Sequence, residues 1–150
     1  MTILSAYAQA DNASIIKLNL PETKNCTSVW LKVESVYPTG SFEDRMAISV
    51  IGNALARGEL KSDQTVIEYM GGSTGSALAF ACASAGIKFL AVFSDAFSKV
   101  KKQTIEVFGE DVLSIPLHGR SVPPDLAQEM KALCSEQVFE LNGIYANQFR

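Results

Sequence analysis

The chain has 150 residues, 47% of them hydrophobic, and its 13 Lys and Arg against 16 Asp and Glu leave a formal net charge of −3. This composition supports one domain with a buried core and excludes a disordered segment. It also argues against a nucleic-acid binder, whose affinity rests on clustered Lys and Arg.

Three cysteines, Cys26, Cys82 and Cys134, stand far apart, and His118 is alone. That pattern gives neither a disulfide framework nor a metal site and fits a reducing, cytoplasmic setting. Residues Met1 to Ala10 lack a basic segment followed by a long apolar core, and no apolar run is long enough to span a bilayer. No leader and no membrane association are expected.

In chain order, Ile15-Ile16-Lys17-Leu18 reads as a short strand and Pro21 to Asn25 as a turn. Val29 to Glu34 is β-branched and aromatic and predicts a second strand, which runs into a turn at Tyr37-Pro38-Thr39-Gly40. Ser41-Phe42-Glu43-Asp44 has the form of a Ser-x-x-acid cap, with an apolar helix face behind it from Met46 to Leu55 and a stop at Arg57-Gly58. Thr65 to Met70 is a strand entering the glycine turn Gly71-Gly72-Ser73-Thr74-Gly75, which opens an apolar helix from about Thr74 to Ala85. Cys82 belongs to its wall as a core residue.

Phe89 to Phe93 is an unbroken apolar strand, followed by an amphipathic helix that ends near Phe108-Gly109 and carries the solvated Lys99, Lys101 and Lys102. Val112 to Ile115 is a short strand, and Pro123-Pro124-Asp125 starts a helix expected to end at Cys134. Strands alternating with helices predict a three-layer αβα body with a mainly parallel sheet, undivided over residues 1–150. Ligands in such sheets gather at the carboxyl ends of strands, where the turns Tyr37 to Ser41 and Gly71 to Gly75 are expected.

The Gly71 to Gly75 turn allows two readings. Free N–H groups at a helix start, small residues and the hydroxyls of Ser73 and Thr74 suit a carboxylate or phosphate. A tight strand-to-helix turn that binds nothing explains the same residues. The turn is neither GxGxxG nor GxxxxGK[ST], so dinucleotide and nucleoside-triphosphate sites lack support.

Several ordered motifs narrow the choice. Tyr37-Pro38-Thr39-Gly40-Ser41-Phe42-Glu43-Asp44-Arg45-Met46-Ala47 resembles the N-P-T-G-S-F-K-D-R-x-A signature of the fold-type II pyridoxal-phosphate enzymes, the family of cysteine synthase, cystathionine β-synthase and the tryptophan synthase β-chain. Ala56-Arg57-Gly58-Glu59-Leu60 is similar to its A-R-G-x-L, and Glu68 with Gly71 to Gly75 to its E-x-x-S-G-N-T-G loop. Phe108-Gly109-Glu110-Asp111-Val112 is similar to its F-G-A-E-V, and Tyr145 to Phe149 to the Y-x-N-Q-F segment that leads into its second half. The loop form is most similar to the cysteine synthase and cystathionine β-synthase branch.

The resemblance implies a tryptophan synthase β-like fold, pyridoxal phosphate as cofactor, and amino-acid β-replacement or β-elimination of the kind that makes cysteine from an activated serine. It also implies that the lysine bonded to the cofactor would stand at Glu43. A carboxylate has no nucleophilic amine, so covalent attachment of the cofactor is not expected. The loop Gly71, Gly72, Ser73, Thr74 and Gly75 corresponds to the segment that binds the substrate carboxylate, and Ser73 to an Asn that commonly touches the cofactor ring. The family's phosphate-binding loop lies in a later half that these 150 residues do not include. The chain thus reads as an amino-terminal part of the unit, inactive as written. Its partners would be a small amino acid or carboxylate, a second copy, or a full-length homologue. A non-catalytic interaction module and a decayed gene product are the alternatives.

Overall fold

The structure is a computed structural model that describes residues 13–19, 28–117 and 122–148. Cys26, His118, the Pro21 to Asn25 turn and the Met1 to Ala10 segment lie outside the described residues.

Strands β1 (Ile15–Leu18) and β2 (Val29–Lys32) pair antiparallel as a separate two-stranded sheet, with Ile16 opposite Leu31 and Lys17 opposite Trp30. A 3-10 turn at Glu34–Val36 leads to helix α1 (Glu43–Ala56). Strand β3 (Thr65–Tyr69), helix α2 (Ser73–Ala85), strand β4 (Lys88–Ser94), helix α3 (Lys99–Val107) and strand β5 (Asp111–Ile115) then alternate. Helix α4 (Leu126–Glu140) and the two-residue strand β6 (Ile144–Tyr145) complete the described chain. The main sheet is parallel throughout, in the order β5-β4-β3-β6.

Side chains alternate across a strand, so an apolar run feeds two cores at once. In β4, Phe89, Ala91 and Phe93 enter the core shared with α1, α2 and α3, while Leu90 and Val92 enter the one covered by α4. In β3, Val66 and Ile67 divide the same way. This is the three-layer αβα arrangement with its parallel sheet. Cys82 and Cys134 are both fully buried, one in each core. No helix among the described residues is long and apolar enough to cross a membrane.

Three expectations need correction, and one short strand leaves no pattern in the sequence. The Ser-x-x-acid cap of α1 forms only in part: Glu43 N donates to Ser41 Oγ at 3.4 Å, while the N-cap residue is Phe42, which has no side-chain hydrogen bond. The Ser41 hydroxyl in turn donates to Glu43, and the Asp44 carboxylate reaches back to Thr39 rather than to Ser41. Helix α4 runs six residues past Cys134 to Glu140, since Ser135 to Glu140 contains no breaker and the stop comes at Asn142 (φ 48°) and Gly143. Strand β6 is too short to show a period. The Tyr37 to Ser41 turn does not lie at a main-sheet strand end, because β2 belongs to the small sheet and stops at Lys32.

Gly143 sets how closely β6 can approach β3. A Cβ there would lie 2.6 Å from the Thr65 backbone oxygen and 2.7 Å from Ile67 Cδ1. Gly143→Ala must therefore push β6 off the sheet, and it is expected to cost about 1–3 kcal/mol, the range for overpacking a close contact. Urea unfolding of the variant would show this as a lower midpoint; an unchanged midpoint would mean that β6 contributes nothing to stability.

Candidate functional site

Two turns meet at the amino ends of α1 and α2. The first runs from Tyr37 to Phe42. Its ring residue Tyr37 is buried, and Gly40 takes a left-handed φ of 74° that a side chain would strain. Asp44 has no exposed surface, and its carboxylate accepts from Thr39 N at 2.8 Å and from Thr39 Oγ1 at 2.6 Å. These bonds fold the turn back onto the first turn of α1.

Gly71 to Gly75 forms the second turn, at the carboxyl end of β3. A Cβ on Gly75 would meet Ile105 Cδ1 and Met70 Cγ at 2.8 Å, so only glycine lets α2 start this close to β3 and α3. A Cβ on Gly71 would meet the Phe97 ring at 2.9 Å. Gly72 is the N-cap of α2 and supplies no side-chain cap.

Glu43 joins the two turns. Ser73 Oγ donates to Glu43 Oε1 at 2.6 Å, and Ser41 Oγ donates to Glu43 Oε2. Glu43 is the first residue of α1 and Ser73 the first of α2, so the carboxylate lies where both helix dipoles favour negative charge. The hydroxyl of Ser73 is satisfied inside the chain. Of the five loop residues, two glycines serve close packing, Gly72 opens the helix, Ser73 binds Glu43, and Thr74 faces a cavity.

That cavity, about 480 Å³, lies at the carboxyl end of β3 beside the start of α4. Thr74, Gly71, Phe97, Pro123, Met130 and Gln148 are among its lining residues. In the sequence Gln148 stands out only as part of the Tyr145 to Phe149 resemblance, with no role assigned. Its Nε2 donates to Tyr69 O at 3.3 Å, and its backbone N donates to Glu68 Oε2 at 3.0 Å. Glu68, fully buried in β3, also accepts from Tyr69 N at 3.0 Å and from the Tyr145 hydroxyl. It thus holds the chain after β6 against the end of β3 and brings Gln148 to the cavity. Sequence reading had no local signal for this contact, which joins residues 80 positions apart.

Burial raises the Glu68 carboxyl above its ordinary value of 4.5, against the lowering effect of the hydrogen bonds it accepts. Burial raises Glu110 as well, although its carboxylate accepts from Phe89 N at 2.7 Å. Cys134 is pushed up to about 12 and Cys82 higher still, both by burial, so these thiols are inert core groups rather than nucleophiles. Lys102 Nζ donates to Ser114 Oγ at 2.7 Å, on β5 and away from the Glu43 turn. No cluster of His, Cys, Asp and Glu among the described residues could hold a metal ion.

The chain belongs to the pyridoxal-phosphate dependent enzyme family, whose sequence profile matches residues 9–150. Within that family it is similar to cysteine synthase-like proteins. It is 38% identical to O-ureido-L-serine synthase of Streptomyces lavendulae over 108 residues, 69% of this chain and 33% of that one. It is 34% identical to cysteine synthase B of Escherichia coli (strain K12) over 120 residues, 79% of this chain and 40% of that one. The crystal structure of O-ureido-L-serine synthase aligns with a TM-score of 0.83 and 32% identity, over 99% of this chain and 44% of its own. A lysine-to-alanine variant of that enzyme, solved with O-ureido-L-serine bound, aligns with a TM-score of 0.76 and 33% identity, over 90% of this chain and 40% of its own. The chain therefore spans less than half the length of these relatives.

The donor set at the two turns does not fit a covalently held pyridoxal phosphate. Glu43 has no amine, and both of its oxygens already accept from serine hydroxyls.

Two measurements test the site. Glu43→Ala and Ser73→Ala, singly and together, should show a coupling of about 1 kcal/mol in a double-mutant cycle, since each single change already breaks the shared bond. Additive losses would mean that the bond contributes nothing. The second test concerns Glu68. Below pH 4.5 its carboxyl is protonated in both states. As pH rises above that value the unfolded chain releases the proton first, so stability is lost until the folded carboxyl ionises too. Between pH 4.5 and neutrality the urea midpoint of the Glu68→Gln variant should fall less than that of the natural chain, with a residual slope from Glu110. Equal slopes would remove Glu68 as their source.

Proposed function

We propose that this chain is a catalytically silent cysteine synthase-like unit, which retains a seat for a small amino acid or carboxylate and cannot carry out the β-replacement or β-elimination of its family. The observation that carries this reading is the hydrogen bond from Ser73 to Glu43. At the position the family signature gives to lysine, the chain has a group that cannot form an imine with an aldehyde. That group also occupies the hydroxyl expected to meet the ligand.

The remaining ligand contacts are Thr74 and Gln148, on the rim of the same 480 Å³ cavity. A Thr hydroxyl and a Gln amide can both donate to a carboxylate, and Gly71 leaves the backbone open to it. Loss of a lysine is compatible with ligand binding in a relative, since the lysine-to-alanine form of O-ureido-L-serine synthase was solved with O-ureido-L-serine bound. Binding without turnover is thus the chemistry these residues support.

Purified chain mixed with pyridoxal phosphate should give no visible absorbance band beyond that of the free cofactor, and borohydride should fix no adduct. Glu43→Lys alone should not give turnover of O-acetylserine, because the restored amine would still lack the parts of the unit outside this chain. An adduct on the natural chain, mapped by mass spectrometry to a lysine such as Lys101 or Lys102, would overturn the reading.

A further inference from the structure

The 480 Å³ cavity at the carboxyl end of β3 has an uneven lining. Its polar side chains Thr74 and Gln148 are half-buried, whereas Met70, Leu126 and Met130 are buried and form its deep side. Phe97 and Pro123 continue that apolar wall, and none of the described residues that line the cavity carries a charge. Two other hollows are built differently. One of about 320 Å³ between α1 and β6 is lined by Arg57 and Glu59, and one of about 260 Å³ at the amino ends of β3, β4 and β5 by Lys88, Glu110 and Asp111.

The apolar wall is fixed in place. The Phe97 ring meets Phe93 edge-on with centroids 5.7 Å apart, and Gly71 leaves room for it, since a Cβ there would touch the ring at 2.9 Å. A wall ordered beforehand costs a ligand little to bind against. The volume lies in the range of small-molecule sites, about 300–1,000 Å³, and has room for a phenyl ring.

A ligand whose polar end meets Thr74 and Gln148 therefore turns its other end toward hydrocarbon, thioether and aromatic groups. An apolar side chain gains there by leaving water, whereas a hydroxyl or an ester finds no strong hydrogen-bond partner among those five residues. We infer that the cavity selects carboxylates with an aromatic or branched apolar side chain over small polar ones such as serine and its O-acyl derivatives. This selection rests on the carboxylate seat proposed above for the polar end of the ligand, and on the apolar wall for the rest.

Amide shift titrations of the full 150-residue chain with four probes test the selection: 3-phenylpropanoate against acetate, and L-phenylalanine against L-serine. Each pair shares its charged end and differs in the apolar body. The phenyl-bearing member should bind at least about tenfold more tightly, from the burial of one aromatic group, and should shift Phe97 and Met130. Ala127 is exposed on α4 and lines the same cavity, so a large side chain there fills the space from outside. Ala127→Trp should remove the tenfold preference and leave the unfolding midpoint unchanged.

Equal affinities within either pair would overturn the selection and leave the carboxylate seat standing. No shift with any probe would overturn the seat, and the selection with it. A preference that survives Ala127→Trp would place the phenyl group outside the cavity and overturn the selection as well.

Discussion

One carboxylate ties together the two turns that open α1 and α2. Glu43 accepts from Ser41 within its own turn and from Ser73 thirty residues later, so the first turns of α1 and α2 are held at a common point. The geometry depends on glycine as well as on charge. A Cβ on Gly75 would meet the Met70 and Ile105 side chains at 2.8 Å, so the close start of α2 relies on glycine there. Glu68 acts similarly on the other side of the strand end, where it holds the chain after β6 and brings Gln148 to the cavity. Two acidic groups, each spanning a long stretch of sequence, thus frame the carboxyl end of β3.

The alternating strands and helices were legible because burial on both faces leaves a continuous apolar run, as in Phe89 to Phe93, and helices leave a period. What could not be read was whatever depended on a partner distant in sequence. Ser41 and Asp44 have the spacing of a cap, but Ser41 donates to Glu43 and Asp44 accepts from Thr39, and only the folded turn decides between those partners. Ile144–Tyr145 pairs with β3 over two residues, too few to alternate visibly. Gln148 sits at the cavity because Glu68 holds its backbone N–H, and nothing adjacent to Gln148 announces that contact. The end of α4 lies beyond Cys134 because no Gly, Asn or Pro follows that residue until Asn142.

The glycine loop illustrates the difference between a shape and a site. Its residues allow either a carboxylate cradle or a plain turn, and each has a use in the fold that is independent of any ligand. Gly71 and Gly75 make room for Phe97, Met70 and Ile105, Ser73 holds Glu43, and Gly71 and Thr74 line the cavity. A glycine turn of this form is accounted for by packing alone, which is why by itself it is a weak functional signal.

Position 43 is where stability and catalysis pull in opposite directions. An acid in the first turn of a helix is favoured by the backbone dipole, typically by about 0.3–1 kcal/mol, and here it gains two hydroxyl donors besides. A lysine at the same position would face that dipole with the wrong sign, and the unfavourable field would lower its pKa toward a reactive amine. An active site can retain such a residue only while selection on the reaction outweighs its cost to the helix. With glutamate the local conflict disappears: the helix start, the serine hydroxyls and the charge at position 43 favour the same arrangement. That agreement makes the carboxylate at Glu43 a stable feature of the start of α1, held by two hydroxyl donors and the helix dipole together.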